Sequence, residues 1–386
     1  MSTAYIVDAI RTPIGRRKGG LARIRPDDLA AVPLQALVER NSIDAGDVED
    51  VILGCVTQVG EQGLNIGRTA PLIAGFPMEV TGTSVNRMCG SSQQAVNFAA
   101  MAVMSGAHDI VIGGGTESMT RVEMGSDMLY RGELKPPSEK LTWRYTFIQQ
   151  GVSAELVAKK YGVGRTQLDE FALDSHRKAG EAQDKGLFEA EIVSVDTIDE
   201  EGNNVTISAD EGIRRGGSVE KLAELRTPFL EDGVITAASS SQISDGASAL
   251  LIANEDAVKR HGLKPRAKIR SMAVAGVDPT IMLTGPMPAT RKALDKAGMT
   301  LGDVDCFEVN EAFASVVLAW AKDLDADLGK VNLYGGACAL GHPLGASGAR
   351  LLTTLLNALE QEDKTIGLST MCIGFGQGIA TVIERV

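Results

Sequence analysis

SVNRMCGSSQQAVNF, running from Ser84 to Phe98, reads as the end of a strand, a tight turn and the start of a helix. Thr83, Ser84 and Val85 favour extended backbone, and Gly90, Ser91 and Ser92 are turn and N-cap residues. From Ser92 to Ser105 the apolar residues Ala95, Val96, Ala99, Ala102 and Val103 recur at helical spacing. A strand that feeds a helix through a small-residue corner is the repeating step of an α/β protein. The corner carries Cys89. A thiol at a helix mouth feels the positive end of the helix dipole, which is expected to lower its pKa from about 8.5 toward the ~3.5–7.5 of reactive cysteines. The ordinary alternative is a small buried residue filling the corner.

Outward from this corner the same alternation continues. Ala4–Ile10 reads as a strand, Asp27–Arg40 as a helix, Val51–Val56 and Thr81–Val85 as strands, and His108 to Gly115 as a short apolar strand ending in glycines. The section 121–240 differs: a Met- and Gly-punctuated loop from Met124 to Gln150 holding Pro136-Pro137, then helices Ser153–Tyr161 and Gln167–Lys185. Short strands Ile192–Val195 and Val205–Ser208 and a basic helical piece around Arg214, Arg215, Lys221 and Arg226 follow, the pattern of an insertion. Beyond it the alternation resumes, with a weak echo of the first half. Ala36-Leu37 leads through Gly46-Asp47-Val48 into Val51, and Ala293-Leu294 leads through Gly302-Asp303-Val304 into Phe307. Small-residue turns before a helix also recur, at Cys89 and at Gly345–Gly348. The pattern predicts a duplicated α/β unit: residues 1–120 with about 241–262, an insertion 121–240, and a second half 263–386.

Composition sets the bounds. The chain has 386 residues, 44% hydrophobic and 23% charged, which excludes wholesale disorder. A net charge of −12 argues against a nucleic-acid or anionic-membrane partner but leaves room for an anionic small molecule on a local basic patch. The five cysteines, Cys55, Cys89, Cys306, Cys338 and Cys372, include no CxxC pair, so neither a disulfide framework nor a structural zinc site is expected. Strand-like sequence from Tyr5, no apolar run near membrane-spanning length and an Arg385-Val386 end suggest a cytoplasmic protein without an organelle address.

Three further stretches carry chemistry. Asn310, in VNEAFA, stands where a strand gives way to a helix and is either an N-cap or a site amide. The run from Gly335 to Gly348 is dense in glycine, lets backbone approach a ligand, and fixes His342 between Gly341 and Pro343; it lacks the Gly-Lys-Ser/Thr ending of a P-loop. His108, His176 and His261 sit among ordinary surface residues. In TMCIGFGQG, from Thr370 to Gly378, Cys372 precedes a glycine turn whose free N–H groups suit an anionic oxygen. Two cysteines and a histidine in glycine-flanked turns suit one thiolate nucleophile, an imidazole base, and a second thiol that moves a proton on carbon.

Taken together these residues resemble the thiolase family over essentially the whole chain. The likeness rests on Val7–Gly15, Asn86–Ser91, Gly114–Met119, Ser244–Ala247, Asn310–Phe313, Gly341–Gly348 and Cys372–Gly374, in this order. It implies a duplicated βαβαβαββ unit, a five-layered αβαβα core with an inserted loop domain, and CoA-dependent cleavage or formation of 3-oxoacyl-CoA. By the resemblance Cys89 would accept the acyl group, His342 would activate it, and Cys372 would handle the proton on the acetyl-CoA α-carbon. Asn310 would hold a water that forms one oxyanion site with His342, and the N–H groups of Cys89 and Gly374 would form the other. Ser241 would pass the pantetheine arm of coenzyme A, and Arg214 would meet its adenine end. Acyl-CoA and CoA enter as substrates, with no permanently bound cofactor and no metal, and a homodimer or a dimer of dimers is implied.

The chain departs from common family patterns at three places. Ala237-Ala238-Ser239 replaces Ala-Gly-Asn, Phe375 interrupts a Gly-Gly-Gly run, and Gln149-Gln150 stands where biosynthetic members carry His-Met. The last favours a degradative thiolase acting in fatty-acid or bulkier acyl breakdown over a biosynthetic acetoacetyl-CoA thiolase. A decarboxylating condensing enzyme of the ketoacyl synthase type uses one cysteine with two histidines, or with His and Asn; Cys372 in a Cys-x-Gly turn argues against that reading.

Overall fold

Both halves of the chain lay their strands down in one order. A computed structural model describes residues 2–135 and 137–386; Pro136 of the Pro136-Pro137 pair lies outside the described residues. The first half contributes β1 (Tyr5–Arg11), β2 (Asp50–Gly54), β3 (Thr81–Val85), β4 (Ile110–Ser118) and, after the insertion, β5 (Ser244–Ala253). Its helices are α1 (Pro26–Asn41), α2 (Ile66–Ile73) and α3 (Ser91–Ser105). The insertion supplies α4 (Gln150–Tyr161) and α5 (Arg165–Asp184). The second half adds β6 (Ala267–Gly276), α6 (Pro286–Ala297), β7 (Cys306–Val309), α7 (Ala314–Leu324), α8 (Ser347–Gln361), β8 (Ile366–Ile373) and β9 (Gln377–Arg385).

Across the first half the order is β3-β2-β4-β5-β1, with β2 parallel to β3 and β4, and β5 antiparallel to both its neighbours. Across the second it is β7-β8-β9-β6, and a parallel bridge from Phe307 to Val331 supplies the position that β3 fills in the first. Both first strands are bulged at matching places, between Ile6 and Asp8 and between Ile269 and Ser271. The two sheets meet edge to edge where Tyr5 pairs Lys268 and Ile6 pairs Ala267, so the strands run on in one hydrogen-bonded order.

Five layers follow from which helix faces are apolar. α3 and α8 lie against each other between the sheets, joined by Ala95, Val96, Ala99 and Val103 on one and Ala349, Leu352, Leu355 and Leu359 on the other. A helix sandwiched between two sheets must be apolar or hydrogen-bonded nearly all round; α8 is buried from Ser347 to Leu359, and its polar Thr353 and Asn357 are bonded to Ala349 O and Glu191. α1 and α2 cover the outer face of the first sheet, and α6 and α7 that of the second. Close approach of α3 to the sheet demands glycine at Gly113, where a Cβ would lie 2.6 Å from Val96 Cα.

The insertion differs from its expected detail. Its hairpin is Val195–Ile198 with Asn204–Ile207, and the basic stretch is mostly loop, with one short helix at Val219–Ala223. Glycines at 212, 216 and 217 between its charges break helical continuity. It is tied to the sheets by a buried ion network: Arg11 Nε donates to Glu191 at 2.6 Å and its terminal nitrogens to Asp210 at 2.7 and 2.9 Å. The two carboxylates outweigh the burial of the Arg11 guanidinium and raise its pKa.

Candidate active site

The Cys89 turn is built by local hydrogen bonds. After β3, Asn86 Oδ1 accepts from Met88 N at 2.8 Å, while Ser91 Oγ accepts from Arg87 N at 2.9 Å and donates to Met88 O at 2.6 Å. Met88 is forced to φ 46°, a left-handed value that costs a side-chain-bearing residue about 1–2 kcal/mol. This reversal sets Cys89 at the mouth of α3, whose N-cap is Gly90, with only 5% of its surface exposed. The expected lowering of the thiol pKa is not found. Burial pushes Cys89 up to about 11, against the opposing pull of the Gly374 N–H, its own N–H and the Gln150 side chain. Loss of water outweighs the helix end here.

His342 lies before α8, in the turn that corresponds to the Cys89 corner in the other half. Its Nδ1 is 2.5 Å from Ser347 Oγ, and its Nε2 is 3.3 Å from Asn310 Nδ2. Ser347 gives its single proton to Pro343 O at 2.8 Å. Its oxygen must therefore accept from His342 Nδ1–H, which leaves the lone pair on Nε2, facing the Asn310 amide. Burial and the nearby Arg350 charge lower the imidazole to about 3, so the ring is neutral.

Asn310 follows β7 directly and is fully buried. It is not an N-cap, since α7 begins after Phe313. Its Oδ1 has no partner among the described residues, the arrangement a bound water would complete. Cys372, near the end of β8, is 1% exposed; burial and the neighbouring Cys89 raise its thiol well above the ordinary range. Gly374 opens the turn between β8 and β9.

One cavity of about 150 Å³ brings Cys89, His342, Cys372 and Ser241 together with Gln150, Met119, Phe229, Leu283, Phe313 and Leu344. Asn310 reaches it through His342, and Gly374 through Cys89. Arg214 is elsewhere, in an open cleft of about 560 Å³ on α5 with His176, Arg177 and Arg215. There the Arg214 N–H donates to His176 Nδ1 at 3.0 Å, and burial and Arg214 lower that imidazole to about 4. His176 is thus a bonded, half-buried ring rather than a surface one. No three His, Cys, Asp or Glu side chains among the described residues stand as metal ligands do.

Sequence reasoning overlooked the supports. Glu117, fully buried, accepts from Val56 N, Thr57 N, Gln62 Nε2 and Gly345 N, so one carboxylate fixes the His342 loop to the strand beside Cys89. Burial raises its pKa against the pull of these donors. Glu311 does the same behind Asn310, accepting from Ser175 Oγ, Asn332 Nδ2 and Cys338 N. The signal was present: a carboxylate inside a small-residue strand, and another beside the site amide, have no solvated face to occupy.

Comparison with known proteins agrees with this arrangement. The family model for the thiolase N-terminal domain matches residues 4–256, and that for the thiolase C-terminal domain matches residues 263–385. The steroid 3-ketoacyl-CoA thiolase FadA6 of Mycobacterium tuberculosis is 48% identical over 100% of this chain and 95% of its own length. A 3-ketoacyl-CoA thiolase of Aeromonas hydrophila is 49% identical over 100% of both chains. The crystal structure of the Bacillus anthracis acetyl-CoA acetyltransferase superposes with a TM-score of 0.92 at 38% identity, covering 100% of this chain and 99% of that one. With both domain models matched and relatives aligned end to end, the chain belongs to the thiolase family of acyltransferases.

Proposed function

We propose that the protein is a degradative 3-oxoacyl-CoA thiolase, which cleaves its substrate with CoA to a shortened acyl-CoA and acetyl-CoA through an acyl-Cys89 intermediate. The observation that carries this is one small cavity shared by two cysteines and a histidine whose bare nitrogen is Nε2. The names of full-length relatives support the degradative direction.

In this reading His342 Nε2 takes the Cys89 proton and the thiolate attacks the 3-oxo carbonyl, whose oxyanion meets the N–H groups of Cys89 and Gly374. The carbon–carbon bond breaks and its electron pair enters the acetyl-CoA enolate. Asn310, a bound water and His342 steady the enolate oxygen while Cys372 gives its proton to the carbon. The Cys372 thiolate then takes the proton of an incoming CoA thiol, that sulfur attacks acyl-Cys89, and His342 returns its proton to the departing Cys89. Each group ends as it began. Ser241, Phe229 and Phe313 line the passage for the pantetheine arm, and the Arg214 cleft serves the phosphate-bearing end.

A homodimer through β3 completes the proposal. This strand is the outer edge of the first sheet, half-exposed, with Leu64, Met78 and Met101 exposed on nearby segments. An edge of this kind is normally covered. No helix among the described residues is long and apolar enough to cross a membrane.

Incubation with a 3-oxoacyl-CoA should leave an acyl group on the Cys89 peptide by mass spectrometry, and Cys89→Ala should abolish both adduct and thiolysis. An adduct on another cysteine, or activity retained by Cys89→Ala, would refute the mechanism. A rate series from acetoacetyl-CoA to long-chain and ring-bearing substrates then reads the acyl preference.

A further inference from the structure

One polar side chain of the catalytic cavity has no part in the steps above. Gln150, the first residue of α4, is half-buried and lines the cavity with Cys89, His342 and Cys372. Its Nε2 lies 3.3 Å from the place a Cβ would take on Gly374, so the carboxamide stands against the Gly374 turn, in the cavity that Cys89 lines.

The position is held firmly. Ser153 Oγ donates to Ile281 O at 2.7 Å, and Gly151 lies so close to Phe229 that a Cβ would come 2.1 Å from its ring. Glu155 accepts from Val234 N and Ile235 N. These bonds clamp the first turns of α4, so Gln150 is presented by a fixed backbone rather than by a swinging loop. A carboxamide at this wall pays a desolvation cost that a methionine or leucine would not, unless it has a partner. Cys89 lines the same cavity and offers its sulfur as an acceptor.

We propose that Gln150 is a catalytic residue, whose carboxamide N–H donates to Cys89 Sγ and stabilises the thiolate beside the main-chain N–H groups of Gly374 and Cys89. When the proton leaves for His342 Nε2, the negative charge stays on sulfur and meets three donors instead of two. The carboxamide gives up no proton. As the sulfur–carbon bond forms, the charge passes to the carbonyl oxygen; when CoA later displaces the acyl group, the same donor receives Cys89 as the leaving thiolate. The inference rests on Cys89 as the nucleophile.

Alkylation of Cys89 by iodoacetamide, followed by peptide mass spectrometry from neutral to alkaline pH, tests it in the wild type, Gln150→Met and Gln150→Glu. A donor to a charged sulfur is worth about a tenfold change. Gln150→Met is therefore expected to react about tenfold more slowly at neutral pH, with its midpoint about one pH unit higher. Gln150→Glu, matched in shape but bearing a negative charge, should be slower still, and thiolysis kcat should fall in step with both while KM moves less. If Gln150→Glu keeps the wild-type profile, or both variants do, Gln150 only shapes the wall and the inference is wrong. If wild-type Cys89 takes no acyl group and is no more reactive than buried Cys338, the nucleophile assignment falls with it.

Discussion

His342 depends on a serine five residues away for the form of its ring. Ser347→Ala removes the acceptor for Nδ1–H, and the imidazole is then free to turn or change tautomer. Thiolysis kcat should fall by about tenfold to a hundredfold with KM nearly unchanged, a positioning effect smaller than the ~10²–10⁴ of a lost general base. The buried neutral ring also makes stability depend on pH. Its folded pKa of about 3 lies below the ordinary value near 6.5, so between these limits the unfolded chain binds the proton more readily. Stability from this site is complete above about pH 6.5 and is lost as pH falls toward 3, at up to about 1.4 kcal/mol per pH unit. Urea midpoints measured across that range should show the slope, and His342→Asn should flatten it. The residues proposed to act stood out in the sequence because cysteine and histidine are scarce and stand in glycine turns. Those that hold them drew no separate reading: Ser347 is one small residue of a Gly-Ala-Ser-Gly turn, and Glu117 stands in the Gly114–Met119 stretch, where only its small neighbours signal burial. The direction of the Cys89 shift was misjudged because a helix end can be read from sequence and the depth of burial cannot.

Among the elements, α3 is seated close against its sheet. Gly113→Ala would press a methyl against Val96 Cα, with backbone on both sides and no side chain able to yield. Overpacking of this kind costs about 1–3 kcal/mol, read as a lowered urea midpoint, and because α3 carries Cys89 at its mouth the variant should also lose activity before it unfolds. The strands and helices that the periodicity predicted are present, with ends displaced by one to three residues: Val51–Val56 is Asp50–Gly54, His108 to Gly115 is Ile110–Ser118, and in the insertion Gln167–Lys185 is Arg165–Asp184. Two features were out of reach. The Val331 segment makes a single bridge to Phe307, too short to leave an alternating pattern. The stretch around Arg214 has helix-forming charges but answers to its glycines and to the His176 ring it contacts across the insertion.

At the scale of the whole molecule, the duplicated unit was readable from two Gly-Asp-Val turns, yet the edge-to-edge seam was not, because Tyr5 and Ile6 look like any strand residues. The buried Arg11 network joins insertion and sheet across nearly two hundred residues. Asp210→Ala would strand part of that guanidinium charge and should cost about 3–5 kcal/mol, measured as a drop in Tm, with activity reduced through the displaced insertion. If β3 is the dimer edge, Ser84→Pro should shift the protein toward monomer in sedimentation, since Ser84 lies between Thr83 and Val85, whose backbone groups face β2, and proline there removes an outward donor that edge pairing needs. The sheet order has a consequence for synthesis. β5 lies between β4 and β1, yet it is made last of the first-half strands, after the whole insertion. From the moment Ser118 leaves the ribosome until Ala253 follows, β4 and β1 each present an open, apolar edge to other nascent chains. That interval is when the chain is most prone to pair with the wrong partner, and slower translation through the insertion would lengthen it.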